Sequence, residues 1–406
     1  MKWKLDGFFF SKIILPKTAV SRAATAARAS TAPSTTLLKP LAEALETLAF
    51  AVFMTMFFVA CQQPASPPAT LPVSALNDGG AYILCEGLWR QDNSTLWRYD
   101  DSTGAAVGDV FASANPSLRL GDTANDMLLA GDTLFIAVST SRTIEILRAS
   151  TAQWLGRIRF DNTRQEPRRL TLFNDSTAYC SNLNDDSISE FDTRSFSVRA
   201  PRIAVGPAPE GIAATRRYIL VANSGFGDFR AADAKAGSIS VVQPETRQEM
   251  RILQGFPNVT EILANKEKTR FYASYRHLPS KPDSLGGVVE FDAETFSEIR
   301  RWRAQTPSSL CFSATGDTLF FLGARGVLGV NLSGDAREEP FLALENPSSR
   351  DYWYALAVRA ETSQFWICNA RNFSVSGEVL IYHTDKSLKS RFDVGLNPNR
   401  IVFFSR

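Results

Sequence analysis

Histidine is almost absent from this sequence of 406 residues, which contains only His277 and His383. A metal site built from several histidines, or a histidine proton relay, would use nearly the whole supply. The chain also has little net charge, +2 in total. Its first 60 residues carry seven Lys/Arg against three acidic residues, a net charge of +4. The remainder has a net charge of −2 and therefore offers no overall basic character that would attract nucleic acid.

Long apolar runs are also lacking, which excludes a multi-pass membrane protein. Hydrophobic residues make up 44% of the chain and charged residues 21%, with 24 Gly and 20 Pro. This balance is typical of a globular protein and excludes a collagen, a disordered tail or a coiled coil. Because 406 residues exceed what one hydrophobic core usually spans, we expect either two domains or one architecture that grows by repetition.

A short apolar segment near the N-terminus ends at a cysteine. Leu48–Ala60 contains thirteen apolar or near-apolar residues, about 20 Å as a helix against a hydrocarbon core of about 30 Å, so it suits a signal peptide better than a membrane span. Phe58–Cys61 resembles the bacterial lipobox, and a proline-rich stretch follows at once. We expect a presequence over residues 1–60, a lipidated Cys61 and a flexible tether over residues 61–78. The alternative is a short buried helix with an incidental cysteine.

The sixty residues ahead of Cys61 are longer than an ordinary signal peptide of about 15 to 30 residues. Thr18–Thr36 is a mixture of Ala, Ser, Thr and Arg without an apolar period. We therefore expect that the true start lies further along the chain, with Lys39 supplying the positive charge of the signal peptide.

From Gly79 onward the chain repeats one pattern of short strands that end in polar turns. The third strand of each unit shows the pattern best, and its copies begin about 47 residues apart on average. These third strands are Thr95–Tyr99, Thr143–Leu147, Ser187–Phe191, Ser238–Val242, Gly287–Phe291, Gly326–Val330 and Glu378–Tyr382.

An apolar strand precedes each of these seven, and innermost strands precede only six of the pairs. The second strands are Tyr82–Glu86, Leu134–Val138, Ala178–Asn182, Tyr218–Asn223, Phe271–Ser274, Leu319–Leu322 and Phe365–Asn369. The innermost strands are Asp126–Leu129, Arg169–Leu172, Gly211–Ala214, Glu261–Ala264, Ser309–Phe312 and Tyr354–Ala357. The missing innermost strand is left over at the other end of the chain, as Arg400–Phe404.

A strand left over at the C-terminus is typical of circular closure, in which it completes the first blade of a β-propeller and hides both edges. The sequence therefore predicts an all-β fold, a seven-bladed β-propeller of four-stranded blades over residues 79–406. Two β-sandwiches, the alternative, do not explain the leftover strand.

The chain resembles the YncE-like and YVTN-repeat seven-bladed propellers, in particular lipoproteins of Bacteroidetes-type bacteria. The stretches that carry this resemblance are Ala81–Gly87, Leu120–Thr123, Pro209–Ala213, Leu220–Gly225 and Tyr354–Val358. That group includes surface propellers that capture cobalamin for a TonB-dependent transporter, which implies a lipid-anchored protein of the outer membrane. Surface lipoproteins of such bacteria tend to carry acidic residues after the lipidated cysteine, and Gln62 and its neighbours depart from this, so the protein faces either the periplasm or the medium.

Loops in an up-and-down blade alternate between two faces, and their lengths predict where function lies. One face is expected to hold tight turns throughout, and the other every long insertion, where ligands usually bind. The insertions mix aromatic rings with guanidinium groups, which suits binding. The candidate ligand-binding residues are Trp89, Arg90, Phe226, Phe229, Arg276, Tyr352, Trp353, Asn369, Arg371 and Asn372, with Arg230, Tyr275 and Phe373 beside them. The alternative is that Trp353 and Phe373 pack between blades and the arginines are solvated.

No set of residues specific to a catalyst is found, and we expect neither a cofactor nor a metal. The strongest enzymatic alternative is a single-metal lactonase, because Cys85–Trp89 resembles the first metal-ligand motif of the gluconolactonases and Asn223 offers an amide oxygen. The aspartate that this family places after a later strand is missing, since Ser313–Phe320 leads to Ala324 and Arg325. Cys85, Cys180, Cys311 and Cys368 lie in apolar strands, which indicates buried packing residues without a required disulfide.

The sequence thus predicts a monomeric, non-catalytic lipoprotein of the cell envelope, anchored to the outer membrane by its lipid. Its partner is expected to be a small-molecule ligand, such as a cofactor or a glycan, or an outer-membrane transporter, and not a nucleic acid. A protein-docking scaffold is the second alternative to the lactonase.

Overall fold

The computed structural model describes residues 79–281, 286–334, 340–344 and 351–404. The predicted presequence, Cys61 and the tether lie outside the described residues. Those that are described all belong to one compact unit. Within these ranges, no helix is both long and apolar enough to cross a membrane.

Seven sheets of four antiparallel strands make up the fold, which confirms the predicted seven-bladed propeller. The strands are β1 (Gly80–Cys85), β2 (Thr95–Asp100), β3 (Ala105–Val107), β4 (Ala124–Ala130), β5 (Thr133–Val138), β6 (Thr143–Arg148), β7 (Trp154–Arg159), β8 (Pro167–Asn174), β9 (Thr177–Asn182), β10 (Ser187–Asp192), β11 (Val198–Ala204), β12 (Pro209–Ala214), β13 (Ile219–Asn223), β14 (Ser238–Gln243), β15 (Gln248–Gln254), β16 (Val259–Ala264), β17 (Arg270–Tyr275), β18 (Gly287–Asp292), β19 (Glu298–Arg303), β20 (Ser308–Phe312), β21 (Thr318–Gly323), β22 (Gly326–Asn331), β23 (Leu342–Ala343), β24 (Trp353–Arg359), β25 (Gln364–Asn369), β26 (Ser376–Tyr382), β27 (Leu388–Leu396) and β28 (Pro398–Phe404). A short helix, α1 (Val110–Ala114), follows β3, and Gly227–Arg230 forms a 3-10 turn.

The first blade closes the propeller as predicted, with the strand order β28-β1-β2-β3. β28 pairs with β1 from Gly80 opposite Phe404 to Cys85 opposite Pro398. Blades 2 to 7 each use four consecutive strands, from β4–β7 to β24–β27. Both chain ends of the described propeller therefore meet in one sheet, and the innermost strand of that sheet comes from the far end of the sequence.

Apolar residues fill the spaces between neighbouring blades. The second and third strands are covered on both faces by adjoining sheets, so β1 and β9 are buried at every position and need apolar or small side chains throughout. The outermost strands are more exposed, and in β15 Gln248 and Met250 are exposed while Glu249 is partly buried. Cys85, Cys180 and Cys368 are buried in this packing, and all four described cysteines are free.

One face of the propeller, here called the short-turn face, carries the turns after the first and third strands of each blade. Asp100, Asp192 and Asp292 each end a third strand, and in each case Oδ1 accepts the backbone N–H groups of the second and third residues that follow, the usual means by which Asp stabilises a turn. The prediction of tight turns throughout this face is wrong for blade 6. There the connection between β22 and β23 spans Leu332–Phe341, and the outermost strand shrinks to two residues.

The opposite face, here called the long-loop face, carries the loops after the second and fourth strands. Its longest second-to-third connections lie in blades 1, 4, 5 and 7, after β1, β13, β17 and β25, as the sequence predicts. The first residues of all the innermost strands reach the same face, so these insertions surround the mouth of the central channel.

Candidate functional site

Each innermost strand is irregular close to its first residues, on the long-loop face. The pairing shifts at Ala124/Asp126, Pro167/Leu170, Pro209/Ile212, Val259/Glu261, Ser308/Cys311 and Trp353/Ala355, and in β1 at Leu84/Cys85, opposite β28. Such β-bulges are common near functional sites, because they bend the strand and turn a side chain in a new direction. The second residues of these strands are Asn125, Arg168, Glu210, Thr260, Ser309, Tyr354 and Asn399, and the third residues are Asp126, Arg169, Gly211, Glu261, Leu310, Ala355 and Arg400.

Asp126 joins three blades at this end of the channel. Its Oδ1 lies 2.5 Å from Nε of Arg400 in blade 1 and 3.8 Å from the guanidinium of Arg169 in blade 3. Its Oδ2 accepts the backbone N–H of Leu170 in blade 3 at 2.8 Å. The carboxylate is therefore both a charge partner and a backbone acceptor, and it fixes the relative positions of β28, β4 and β8.

Other contacts cross the channel. Arg169 in blade 3 lies 3.9 Å from Glu261 in blade 5, and between them blade 4 has Gly211 at the equivalent position. A Cβ at Gly211 would come within 2.7 Å of the Glu261 Cα atom, so glycine permits the close approach of the two strands. Glu261 also accepts the backbone N–H of Leu310 in blade 6 at 2.9 Å.

A second set of charged side chains, at the second positions of the innermost strands, lies beside the Asp126, Arg169 and Glu261 contacts. Arg168 donates to the side-chain oxygen of Asn125 and lies 3.9 Å from Glu210. On the far side of the channel, the Tyr354 hydroxyl donates to Glu86 at 3.0 Å. The charged ring, as we call it, comprises Glu86, Asp126, Arg168, Arg169, Glu210, Glu261 and Arg400, three guanidinium groups against four carboxylates.

The pKa shifts in the charged ring follow from burial and from these neighbours. Burial lowers the pKa of Arg168, but attraction to Glu210 and Glu86 outweighs it and raises the pKa overall. Burial raises the pKa of Glu261, yet Arg169 and Arg400 outweigh it and bring the pKa below its usual value. The charge of Glu86, followed by burial, raises the pKa of Tyr354. At neutral pH the Tyr354 hydroxyl therefore stays protonated and donates, while Glu261 remains an acceptor.

The charged ring remains within reach of solvent. The side chains of Arg168, Arg169, Arg400, Glu210 and Glu261 are 15% to 30% exposed, and only Asp126, at 6%, is enclosed. Mutually paired charges that keep this much accessible area can exchange water for a ligand without unfolding the strands that carry them.

An aromatic cluster from blade 7 borders the charged ring. The ring centroid of Tyr352 lies 4.8 Å from that of Phe373 and 6.1 Å from that of Tyr354, and Tyr354 lies 5.4 Å from Phe373. Since the Tyr354 hydroxyl contacts Glu86, aromatic surface and carboxylate meet at one point of the channel mouth.

Two further aromatic groups among the predicted site residues lie on the long-loop face. Arg90 stacks 4.1 Å from the centroid of Trp89, whose side chain is half exposed. Phe229, 69% exposed, makes an edge contact with Phe226 in blade 4. Loops of blades 4 and 5 are joined, because Asp228 accepts the backbone N–H of Ser280 at 2.9 Å. The structure thus places aromatic groups at separate points around the channel mouth.

Other predicted residues hold the loops in place. Trp353 is buried in the core between blades 6 and 7. Asn369, 1% exposed, accepts the backbone N–H groups of Tyr352 and Arg371 and donates to Asp351 and Glu378. These two buried side chains hold the loops that carry the aromatic cluster and are not themselves exposed to a ligand.

The remaining predicted side chains are engaged by other parts of the protein. Arg371 pairs with Glu378 at 3.3 Å and with Asp393 at 2.8 Å. Arg276 donates to the Pro307 carbonyl at 3.4 Å, and exposed Asn372 accepts the N–H of Ser374. Tyr275 is buried, and Arg230 pairs with Asp186 at 2.7 Å.

Reasoning from the sequence missed the charged ring. A signal for it is present, because the innermost strands begin with polar or charged residues, as in Asn125-Asp126, Arg168-Arg169 and Asn399-Arg400, and then become apolar. The signal is visible only when the seven strands are aligned by their position in the blade.

The residues of the lactonase alternative are separately engaged. Asn223, completely buried, donates to Ser238 and Ser240 and accepts the N–H of Gly206. Glu86 accepts from Tyr354. Within the described part of the chain, no three His, Cys, Asp or Glu side chains are grouped so that they could hold a metal ion.

Solved structures with similar folds come from several bacteria. A quinonprotein alcohol dehydrogenase-like protein of Bacteroides thetaiotaomicron matches with a TM-score of 0.63 and 16% identity, over 81% of this chain and 79% of its own. The periplasmic gluconolactonase of Pseudomonas aeruginosa matches with a TM-score of 0.55 and 15% identity, over 80% of this chain and 99% of its own. Hydrazine synthase of Kuenenia stuttgartiensis matches with a TM-score of 0.55 and 15% identity, over 70% of this chain and 95% of its own. At these identities the likeness shows the fold alone.

Family membership is clearer. No curated protein matches the chain, and the YncE-like resemblance stays a prediction. The family described as Domain of unknown function (DUF5074) matches residues 79–382, which is more than half of the chain and includes most of the seven blades. The chain therefore belongs to the DUF5074 family.

Proposed function

We propose that this protein is a non-catalytic binding module whose ligand sits over the channel mouth on the long-loop face. The observation that carries the proposal is the charged ring, in which seven ionisable side chains from five blades converge on one solvent-accessible spot. Charged side chains are costly to gather in this way, and such groups in a recessed site commonly serve recognition.

The surrounding loops support the same assignment. Blades 1 and 7 place exposed aromatic groups at the mouth, namely Trp89 and Tyr352, and blade 4 adds Phe229. Tyr352 packs against the partly buried Phe373. Exposed aromatic side chains bring large contact area at low cost in conformational entropy, which is why they dominate binding hot spots. Ligand sites in proteins combine aromatic side chains with a few placed polar groups, and both kinds of group are present at this mouth.

A single-metal lactonase is the second candidate, supported by the likeness to the gluconolactonase of P. aeruginosa in fold and by the position of Glu86 at the channel mouth. Binding is favoured because Glu86 and Asn223 are held by partners in different blades. A protein-docking scaffold would use the same face, and candidate partners include an outer-membrane transporter.

The binding proposal is tested by replacing one guanidinium that faces the channel. We expect Arg168→Met, which keeps an unbranched apolar stem but removes the guanidinium donors, to weaken ligand binding about tenfold or more, since a charge-assisted hydrogen bond contributes about 1.5 to 3 kcal/mol. Calorimetry and thermal shift against cobalamins, sugars and divalent cations measure the effect. Arg217→Met, an exposed arginine on the short-turn face, is the matched control and should leave binding unchanged.

Two results would replace the binding proposal by one of the alternative functions. A thermal shift with Ca²⁺ or Zn²⁺ that disappears in Glu86→Gln, together with lactone hydrolysis, would establish the enzyme. If none of these probes bound the wild-type protein and a transporter were recovered with it, the scaffold would replace the small-molecule module.

We also propose that the protein is a lipoprotein of the cell envelope, anchored to the outer membrane through Cys61 in the Phe58–Cys61 sequence. The resemblance to lipid-anchored YncE-like propellers supports this. Cys61→Ala should move the protein from the membrane to the soluble fraction, because no lipid can be attached. Fractionation with a radiolabelled fatty acid measures it, with Cys180→Ala as the control that retains the lipid. Membrane retention of unlabelled Cys61→Ala would contradict the anchor, and protease treatment of intact cells distinguishes a surface location from a periplasmic one.

A further inference from the structure

The hydrogen-bonding groups of the charged ring are not saturated by the protein. Among the described contacts, Arg400 bonds only through Nε and Arg169 only through one terminal nitrogen. Within the described ranges, the Glu210 carboxylate accepts no hydrogen bond, and its ion-pair partner Arg168 lies 3.9 Å away. The channel mouth therefore offers unused donors and unused acceptors side by side.

Two buried polar atoms at the same level have no partner among the described residues. They are Nε of Arg168 and Oδ1 of Asn399, which occupy the second positions of β8 in blade 3 and of β28 in blade 1. Buried polar atoms in folded proteins are almost always hydrogen-bonded. A bound water or a ligand at the channel mouth would supply the missing partners of this donor and this acceptor.

The charges of the ring nearly cancel. Three guanidinium groups face four carboxylates, and each guanidinium has a carboxylate within 3.9 Å. An anion would meet the carboxylates at close range and a cation would meet the guanidinium groups, so neither gains a large net attraction. A neutral group that both donates and accepts can bond to each kind of side chain at once, and the hydroxyl group has this property.

The aromatic cluster sets a second requirement for the ligand, an apolar face. Tyr352, 37% exposed, lies against Phe373 at 4.8 Å and next to Tyr354, whose hydroxyl bonds to Glu86. A ligand that reaches the carboxylate therefore passes an aromatic surface. Such a surface packs against the apolar C–H face of a saturated, uncharged ring.

From these features we infer that the charged ring binds a neutral polyhydroxylated ligand of the sugar class, with its hydroxyl groups bridging the guanidinium and carboxylate groups and one C–H face against Tyr352 and Phe373. This inference rests on the proposed function, because it names the ligand class of that same site. Each hydroxyl would accept from an arginine such as Arg400 and donate to a carboxylate such as Glu210.

The test is titration calorimetry of the soluble propeller with glucose, galactose, mannose, maltose and cellobiose, beside glycine, inorganic phosphate and cyanocobalamin. We expect at least one of the five sugars to bind. Glu210→Gln should weaken that sugar about tenfold or more, because it replaces a charged acceptor. Glu294→Gln, on the short-turn face, is the matched control and should have no effect. Since the ligand is neutral, raising NaCl from about 50 mM to about 500 mM should change the affinity less than about twofold.

The other outcomes distinguish a failure of the sugar inference from a failure of the proposed binding function. If glycine, phosphate or cyanocobalamin binds in place of the sugars and Arg168→Met abolishes this, the sugar inference is overturned while the binding module stands. If a sugar binds with equal affinity to Glu210→Gln and Arg168→Met, the charged ring is not its site and the inference fails. If nothing binds, both the inference and the small-molecule module are overturned.

Discussion

Deletion of residues 400–406 is expected to abolish the folded protein and not merely one activity. These residues include most of β28, the innermost strand of blade 1, which pairs with β1 over six positions. Without β28, β1 exposes a row of unpaired backbone groups, and blades 7 and 2 lose the innermost strand of the sheet that lies between them. An open propeller has two free sheet edges, which invite aggregation.

The size of the expected loss in the free energy of unfolding follows from the side chains that the deletion removes. Phe403 packs 5.3 Å from Trp366, Phe404 packs 5.2 Å from Tyr82, and Ile401 is buried in the core shared with blade 7. Full burial of each large apolar side chain contributes roughly 1.5 to 3 kcal/mol, so partial burial of several such residues amounts to about 5 kcal/mol. That is comparable with the whole stability of a typical domain, about 5 to 15 kcal/mol.

The measurement is the yield of soluble monomer by gel filtration, followed by thermal unfolding monitored by circular dichroism. A chain that lacks only residues 405 and 406 is the matched control and should melt like the full-length protein. If the longer deletion kept the native melting transition, the closure of blade 1 by the C-terminal strand would be refuted.

The fold could be predicted from the sequence because its signals are local. Strands such as Thr143–Leu147 and Ser238–Val242 are short and apolar, and they end in polar turns at a regular spacing. A propeller repeats one such unit, so each copy supports the others. The leftover strand Arg400–Phe404 fixed the closure, since only circular pairing gives it a partner. The long turn after β22 was missed because a weak outer strand, Leu342–Ala343, leaves little trace in the sequence.

The candidate site was harder to predict because its contacts are not local. Arg169 and Glu261 are 92 positions apart in the chain and meet only across the channel. Their approach depends on the bulges at the start of the innermost strands, which shift the pairing by amounts that the apolar pattern does not encode. Aromatic and arginine content identified the long-loop face, but that signal does not distinguish an exposed Tyr352 from a buried Trp353, although the two are adjacent.

Asp126→Ala is expected to destabilise the propeller by about 2 to 4 kcal/mol. Removing one partner of a buried ion pair typically costs about 3 to 5 kcal/mol, and the partial exposure of Arg400 and Arg169 reduces this, since solvent screens their charges. The substitution also leaves the backbone N–H of Leu170 without its acceptor. For a domain of this size the melting temperature should fall by about 3 to 6 °C.

Urea unfolding at pH 7 measures the change in the free energy of unfolding, with Asp385→Ala as the control. Asp385 bonds only within an exposed turn on the short-turn face, so its replacement should cost about 1 kcal/mol or less. A loss of less than about 1 kcal/mol in Asp126→Ala would show that the carboxylate does not couple the three blades.

The contribution of the Asp126–Arg400 ion pair to stability is measured by combining Asp126→Ala with Arg400→Met. The single Asp126→Ala variant leaves the Arg400 guanidinium facing Arg169 without the carboxylate that lies between them. The double variant removes one of these two cations, so part of the penalty disappears and its destabilisation should be smaller than the sum of the single effects by about 1 kcal/mol or more. Because Arg169 keeps its contact with Glu261, the charge remaining in the double variant still has a partner across the channel. Strict additivity of the two substitutions would mean that Asp126 stabilises the fold through the Leu170 N–H alone, and that the charges at the channel mouth are held independently of one another.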